Sequence, residues 1–333
     1  MRRIPVVFAM AVMAFASAPV GVGAQAAPGP DRANGHSQLT RDPSGQPAGV
    51  VRGVATPGEK AKEPPPAAPL PTAATLTGNG CQWLDYGKVA TGALYCRAGA
   101  YQDLTNGDGA YMSTVVQSPW VTRTGTTPDD HSLAELAVES DDGQQIVEIG
   151  WRVDPSDPTF AGDQTPRLFI FHWVNGVPKC YDNENNGCGF KPYGSSGITP
   201  GQALTNMSTP TQFEIDHSGG NWWYGLNGTW FGYLPDSLWN GTFTKAEFVQ
   251  MFGEVATSSK TTPCSNMGNG YFGHDPGSVA VNSIGYFNTT ETALVTPFAD
   301  NPSFYDSQST TTEDSFRYGG PGGRNTTACK TTP

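Results

Sequence analysis

Apolar and polar residues alternate through the central part of this chain, with the period of a β-strand rather than that of a helix. Within residues 144–153, Val147, Ile149, Trp151 and Val153 make one apolar face, while Ile146, Glu148, Gly150 and Arg152 make the other, because successive side chains of a strand point to opposite sides. Residues 167–174 (RLFIFHWV) are apolar on both faces and predict a strand inside a sheet. Residues 221–233 predict a hairpin: NWWYGL and TWFGY flank Asn227-Gly228, a dipeptide suited to a two-residue turn with two positive φ angles. Further strands are expected at 110–116, 132–138, 212–216, 253–257 and 279–287, and 244–251 (TKAEFVQM) reads as the one helix candidate. Many short strands separated by turns predict an all-β chain folded as an antiparallel β-sandwich of two stacked sheets.

The two ends follow other rules. Arg2 and Arg3 precede an apolar stretch from Ile4 to about Ala16, and Ala24-Gln25-Ala26 fits the small-residue rule of a cleavage site; residues 1–26 read as a secretion signal. That stretch is too short to span a bilayer core of ~30 Å, so no membrane span is expected. Residues 27–76 carry Glu-Pro-Pro-Pro and Ala-Pro-Leu-Pro but no aromatic cluster, the composition of a disordered linker or short propeptide. All eight Trp fall after residue 80. A folded domain is therefore expected over 77–289, followed by a Ser/Thr/Gly-rich tail, 290–333, that Cys329 could tie back.

Charge and cysteine content narrow the class. Of 333 residues only 15% are charged, with 30 acidic against 19 basic and a net charge of −11, which argues against nucleic acid as a partner. Six cysteines in an exported chain point to disulfides. They allow fifteen pairings; short-range closure favours Cys81 with Cys96 and Cys180 with Cys188, leaving Cys264 for Cys329. A monomer is expected.

Several chemistries find no motif. The sequence has no G-x-S-x-G and no H-E-x-x-H, so neither a serine elbow nor a zinc site is expected. Asp182-Asn183-Glu184-Asn185-Asn186-Gly187 opens like a calcium loop, but Tyr193 stands where the bidentate Glu belongs. His172 lies in an apolar strand and reads as a sheet residue. What remains is two acids embedded in apolar strands, Glu148 and Glu254, a position that is expensive unless the carboxylate is paired, hydrated or functional. Two such groups on one sheet face can have their pKa values driven apart, one serving as base and the other as acid. The tryptophan content would also suit a carbohydrate- or cell-wall-binding sandwich, and the same acid pair could serve a glycoside hydrolase.

The ordered motifs Val147-Glu148-Ile149-Gly150-Trp151-Arg152-Val153-Asp154-Pro155, 167–173, Cys180-Tyr181 to Cys188-Gly189-Phe190, Gly220-Asn221-Trp222-Trp223, Gly232-Tyr233-Leu234-Pro235 and Phe252-Gly253-Glu254-Val255 resemble the neprosin family of secreted glutamic peptidases, over roughly residues 110–287. The resemblance implies a catalytic β-sandwich with a concave active-site face, a catalytic pair matching Glu148 and Glu254, cleavage after proline under acidic conditions, and no metal or organic cofactor. Phe252 stands where the family often has a further Gly, and residues 27–76 lack the look of the folded activation domain of plant members. Trp222, Trp223 and Tyr224 alternate along one strand, so at least one is expected to face the groove and stack on a substrate ring. The partner expected is a proline-containing peptide or protein outside the cell.

Overall fold

The computed structural model describes residues 80–84, 93–122, 131–157, 159, 162–179, 188–257, 262–312, 314–324 and 329, with backbone only for 82–84. The expected signal and linker, and the acidic loop 182–187, lie outside the described residues. Two antiparallel sheets pack face to face, as the alternation predicts. The first takes β1 (Gln82–Leu84), β2 (Ala93–Gly107), β4 (His131–Glu139), β5 (Ile146–Val153), β6 (Arg167–Val174), β7 (Val177–Pro178), β12 (Ala246–Thr257) and β14 (Thr296–Ala299). Its order is β1-β2-β12-β4-β5-β6-β7, with β14 also on β2. The second takes β3 (Gly109–Thr114), β8 (Lys191–Pro192), β9 (Thr211–Ser218), β10 (Asn221–Leu226), β11 (Thr229–Pro235), β13 (Val279–Phe287), β15 (Asp306–Ser309) and β16 (Phe316–Gly319), in the order β15-β16-β13-β3-β9-β10-β11-β8.

The core lies between the sheets and is built by the alternation. Val147, Ile149, Trp151 and Val153 of β5 pack with Leu136 and Val138 of β4 and Val249, Met251 and Val255 of β12 against Met112, Phe213, Ile215, Trp222, Tyr224 and Leu226 of the second sheet. Gly253 sits on this inner face, where an added Cβ would stand 2.5 Å from the Tyr318 ring. The glycine before Glu254 thus lets β12 approach β16. The hairpin closes as expected, with φ 52° at Asn227 and 75° at Gly228, the pair of positive angles that a type I′ turn needs.

Two expectations change. Residues 244–251 form no helix: β12 pairs with β2 on one side and β4 on the other, and two complete ladders outweigh the weak helix preference of Ala, Glu, Lys and Gln. The stretch after 290, expected as a tail that Cys329 could tie back, also adds strands to both sheets. There β14 pairs with β2, and β16 pairs with both β15 and β13, with Phe316 and Tyr318 in the core. Disulfides join Cys81 to Cys96 and Cys264 to Cys329. Cys188 is disulfide-bonded; Cys180 lies outside the described residues.

Candidate functional site

The outer face of the first sheet carries the acids. Residues opposite one another in an antiparallel pair share a face, and the register places Glu254 opposite both Arg97 and Leu133, Glu135 opposite Phe252 and Gly150, and Ala137 opposite Gln250 and Glu148. Glu254 on β12, Glu135 on β4 and Glu148 on β5 therefore run diagonally across three neighbouring strands. Glu139 follows on β4, opposite Phe248 and Ile146. Leu133, Ala137, Ile146, Phe169, Phe171, Trp173, Phe252 and Phe298 surround them as a second apolar cluster.

All four glutamates are buried, Glu148 at 2% and Glu254 at 4% exposure, and their partners differ. Trp173 Nε1 donates to Glu148 Oε1 over 2.9 Å. Glu254 Oε1 lies 3.2 Å from His131 Nε2, with Arg97 directly across the ladder; Arg97 itself pairs with Asp300 at 3.1 Å. Gln250 Nε2 donates to Glu139 Oε1 over 3.1 Å.

The environments set the protonation states. Burial lifts the Glu148 carboxyl to about 8 against the pull of the Trp173 N–H, and the Glu254 charge adds to the rise. Glu135 is held well above the ordinary carboxylate range by burial first, then by the charges of Glu148 and Glu254, with Arg97 opposing. Glu139 is raised by burial and by Glu148, against the Gln250 hydrogen bond and Arg97. Arg97 and His131 stand at the other end of the diagonal, beside Glu254. Burial and mutual repulsion keep the carboxyls around Glu148 in their neutral form, and a neutral carboxyl can act as an acid on the face that it shares with Glu254.

The structure brings the two glutamates to one face, but it does not bring the tryptophans there. Trp222 is in the inter-sheet core, stacked on Phe243 at 4.4 Å with Nε1 bonded to the Phe243 carbonyl. Tyr224 is also in that core, its hydroxyl 3.3 Å from the Phe171 carbonyl. Trp223 faces the far side of the second sheet, among Tyr111, Trp230 and Phe287. The hairpin's alternation is as expected; the sheet that owns it is the wrong one to stack a substrate beside Glu148. Phe169, Phe171, Trp173, Phe252 and Phe298 are the buried rings of the cluster that does stand there. His172 points into the sandwich, where burial lowers its imidazole to about 3, so it is a neutral core residue. Glu135, Glu139, Gln250, Arg97 and His131 were not singled out from the sequence. Alternation within 131–139 (HSLAELAVE) was the available signal: it puts His131, Leu133, Glu135, Ala137 and Glu139 on one face.

Among the described residues no group of three or more His, Cys, Asp or Glu side chains could hold a metal ion. The family model for neprosin matches residues 128–321. The chain is similar to the solved structure of scytalido-glutamic peptidase with a transition state analog inhibitor, at 12% identity and a TM-score of 0.40, over 68% of this chain and 98% of that one. It is similar to SCP-B, a member of the eqolisin family of peptidases in complex with the tripeptide Ala-Ile-His, at 10% identity and a TM-score of 0.38, over the same shares. A glycoside hydrolase family 16 endo-glucanase from Bacteroides ovatus is similar at 12% identity and a TM-score of 0.27, over 59% of this chain and 79% of that one.

Proposed function

Because the chain belongs to the neprosin family, we propose that it is a secreted glutamic endopeptidase in which Glu254 is the base and Glu148 the acid. One observation carries the assignment: the two carboxyls share a buried face, yet Glu254 sits beside His131 and Arg97 while Glu148 is kept neutral up to about pH 8.

The Glu254 carboxylate takes a proton from water as the water oxygen bonds to the substrate carbonyl carbon, and Glu148 gives its proton to the carbonyl oxygen. When the C–N bond breaks, the leaving nitrogen takes the proton held on Glu254. Re-forming the carbonyl returns a proton to Glu148, so both groups end as they began. A neutral Glu148 is required, a condition met below about pH 8 and therefore also under the acidic conditions that the family resemblance implies. The rings of Phe169, Phe171 and Phe252 on the same face favour an apolar side chain next to the scissile bond, and they support the cleavage after proline that the family resemblance implies.

The test is incubation of the mature protein at acidic pH with a quenched proline-containing peptide and, separately, a panel of polysaccharides. Peptide cleavage is expected, with losses of at least about 10²-fold in both Glu148→Gln and Glu254→Gln while circular dichroism shows the fold intact. Full activity in either variant overturns the pair. Turnover of a polysaccharide alone turns the reading to a glycoside hydrolase, and binding of one without turnover turns it to a carbohydrate-binding sandwich.

A further inference from the structure

On the glutamate face, Gln250 Oε1 and Arg97 Nη2 are buried with no hydrogen-bond partner among the described residues. Gln250 is completely buried and Arg97 is 2% exposed. Folded proteins leave few such groups, because each unsatisfied one is costly, and an exception calls for an explanation.

Their placement supplies one. The rest of each side chain is already anchored: Gln250 Nε2 is held by Glu139 and Arg97 Nε by Asp300. The free atoms are thus fixed in place. Gln250 stands opposite Ala137, which stands opposite Glu148, so only a methyl group separates the Gln250 and Glu148 rows across β4. Arg97 stands opposite Glu254. One orphan accepts and the other donates, and each belongs to the row of one catalytic glutamate. A peptide group offers the complement, with one N–H and one C=O per residue.

We propose that Gln250 and Arg97 bind the backbone of the peptide substrate, Oε1 of Gln250 accepting a substrate N–H and Nη2 of Arg97 donating to a substrate carbonyl. Neither touches the reacting atoms; both place the chain over the pair. Proline itself carries no N–H, so the group that Gln250 binds belongs to another residue of the substrate. This inference rests on the peptidase reading above and adds the contacts that would make the site select an extended polypeptide.

The experiment measures kcat and KM for the quenched peptide with wild type, Gln250→Leu and Gln250→Glu at acidic pH. Gln250→Leu is expected to raise KM about tenfold, the ratio that one unmade hydrogen bond gives, with kcat within about threefold of wild type. Gln250→Glu, neutral at that pH and still an acceptor, is expected to keep KM near wild type. A set of peptides each N-methylated at one position then locates the contact: one position is expected to weaken wild type about tenfold and Gln250→Leu not at all.

An unchanged KM in Gln250→Leu, or a fall in kcat alone, overturns the proposal. If Gln250→Leu does not fold, the N-methyl series on wild type decides, and a series with no sensitive position overturns it. A wild type that cleaves nothing removes the peptidase reading by itself; fluorescence anisotropy with the same peptides then decides the inference, with N-methyl-sensitive binding upholding it and no binding sinking both.

Discussion

Trp173 Nε1 reaches across β6 to β5 and donates to Glu148 Oε1 over 2.9 Å inside the apolar cluster. The bond favours the ionised form and opposes the burial that, on balance, lifts this carboxyl to about 8. Trp173 thus tunes the proposed acid without exchanging a proton with it. Trp173→Phe keeps an aromatic ring against Phe171 and removes the donor together with part of the indole ring. The basic limb of the kcat/KM profile is expected to move up by about one pH unit, as loss of a hydrogen bond to a charged group implies. A profile scaled down without moving would mean that only packing had been lost.

His131 is the corresponding partner of Glu254, 3.2 Å away and buried with it. His131→Phe preserves a ring beside Tyr95, now 6.2 Å between centroids, and takes away the nitrogen. The Glu254 carboxyl then loses a hydrogen-bond partner, so kcat/KM at acidic pH is expected to fall about tenfold, the cost of one such bond. Steady-state assays of both proteins check it, and an unchanged kcat/KM removes His131 from any positioning role.

How far the sequence foretold this arrangement depends on which residues carried a pattern. Glu148 was legible because alternation in 146–153 is strict, and the same strictness located Trp151 in the core. β2 was not legible: after Leu94 its inward residues Cys96, Ala98 and Ala100 are small, so little apolar contrast marks the strand, although it is a long central one. β14, β15 and β16 are four residues each and take their stability from partners far away in sequence. Which sheet face owns a residue is a tertiary fact. The alternation of Trp222, Trp223 and Tyr224 could assign them to opposite faces of a strand, but only the placement of β10 in the second sheet takes all three away from the glutamates.

Glu135 lies between Glu254 and Glu148 on the diagonal and invites the question of which neutral acid gives the proton. Its carboxyl is held well above the ordinary range by burial, so it stays protonated while the enzyme works, and an amide is a close mimic of that state. Glu135→Gln is expected to retain kcat/KM within about tenfold of wild type at acidic pH, against the loss of at least about 10²-fold for Glu148→Gln. Steady-state assays of the two variants side by side check this. The reverse ranking would transfer the acid role from Glu148 to Glu135.

The same buried acids make the fold itself sensitive to pH. In the unfolded chain these carboxyls titrate near 4.5; in the folded protein Glu148 is raised to about 8 and Glu214, buried on the second sheet with a bond from the Gly228 N–H, to about 7. Between those values the folded state binds more protons than the unfolded one, so stability is complete below about pH 4.5 and declines as pH rises toward 8. Glu135 and Glu139 are raised in the same direction and deepen the decline. Each pH unit across which one such group differs is worth about 1.4 kcal/mol, and about 1 kcal/mol moves Tm by 2–4 °C in a domain of this size. Thermal unfolding followed by circular dichroism from pH 4 to 8 is therefore expected to show Tm falling by roughly 15 °C or more, and Glu148→Gln is expected to flatten the slope. A Tm that is constant or rises over that range would mean that these carboxyls are not buried as neutral acids, and would remove the protonation states on which the acid role of Glu148 depends.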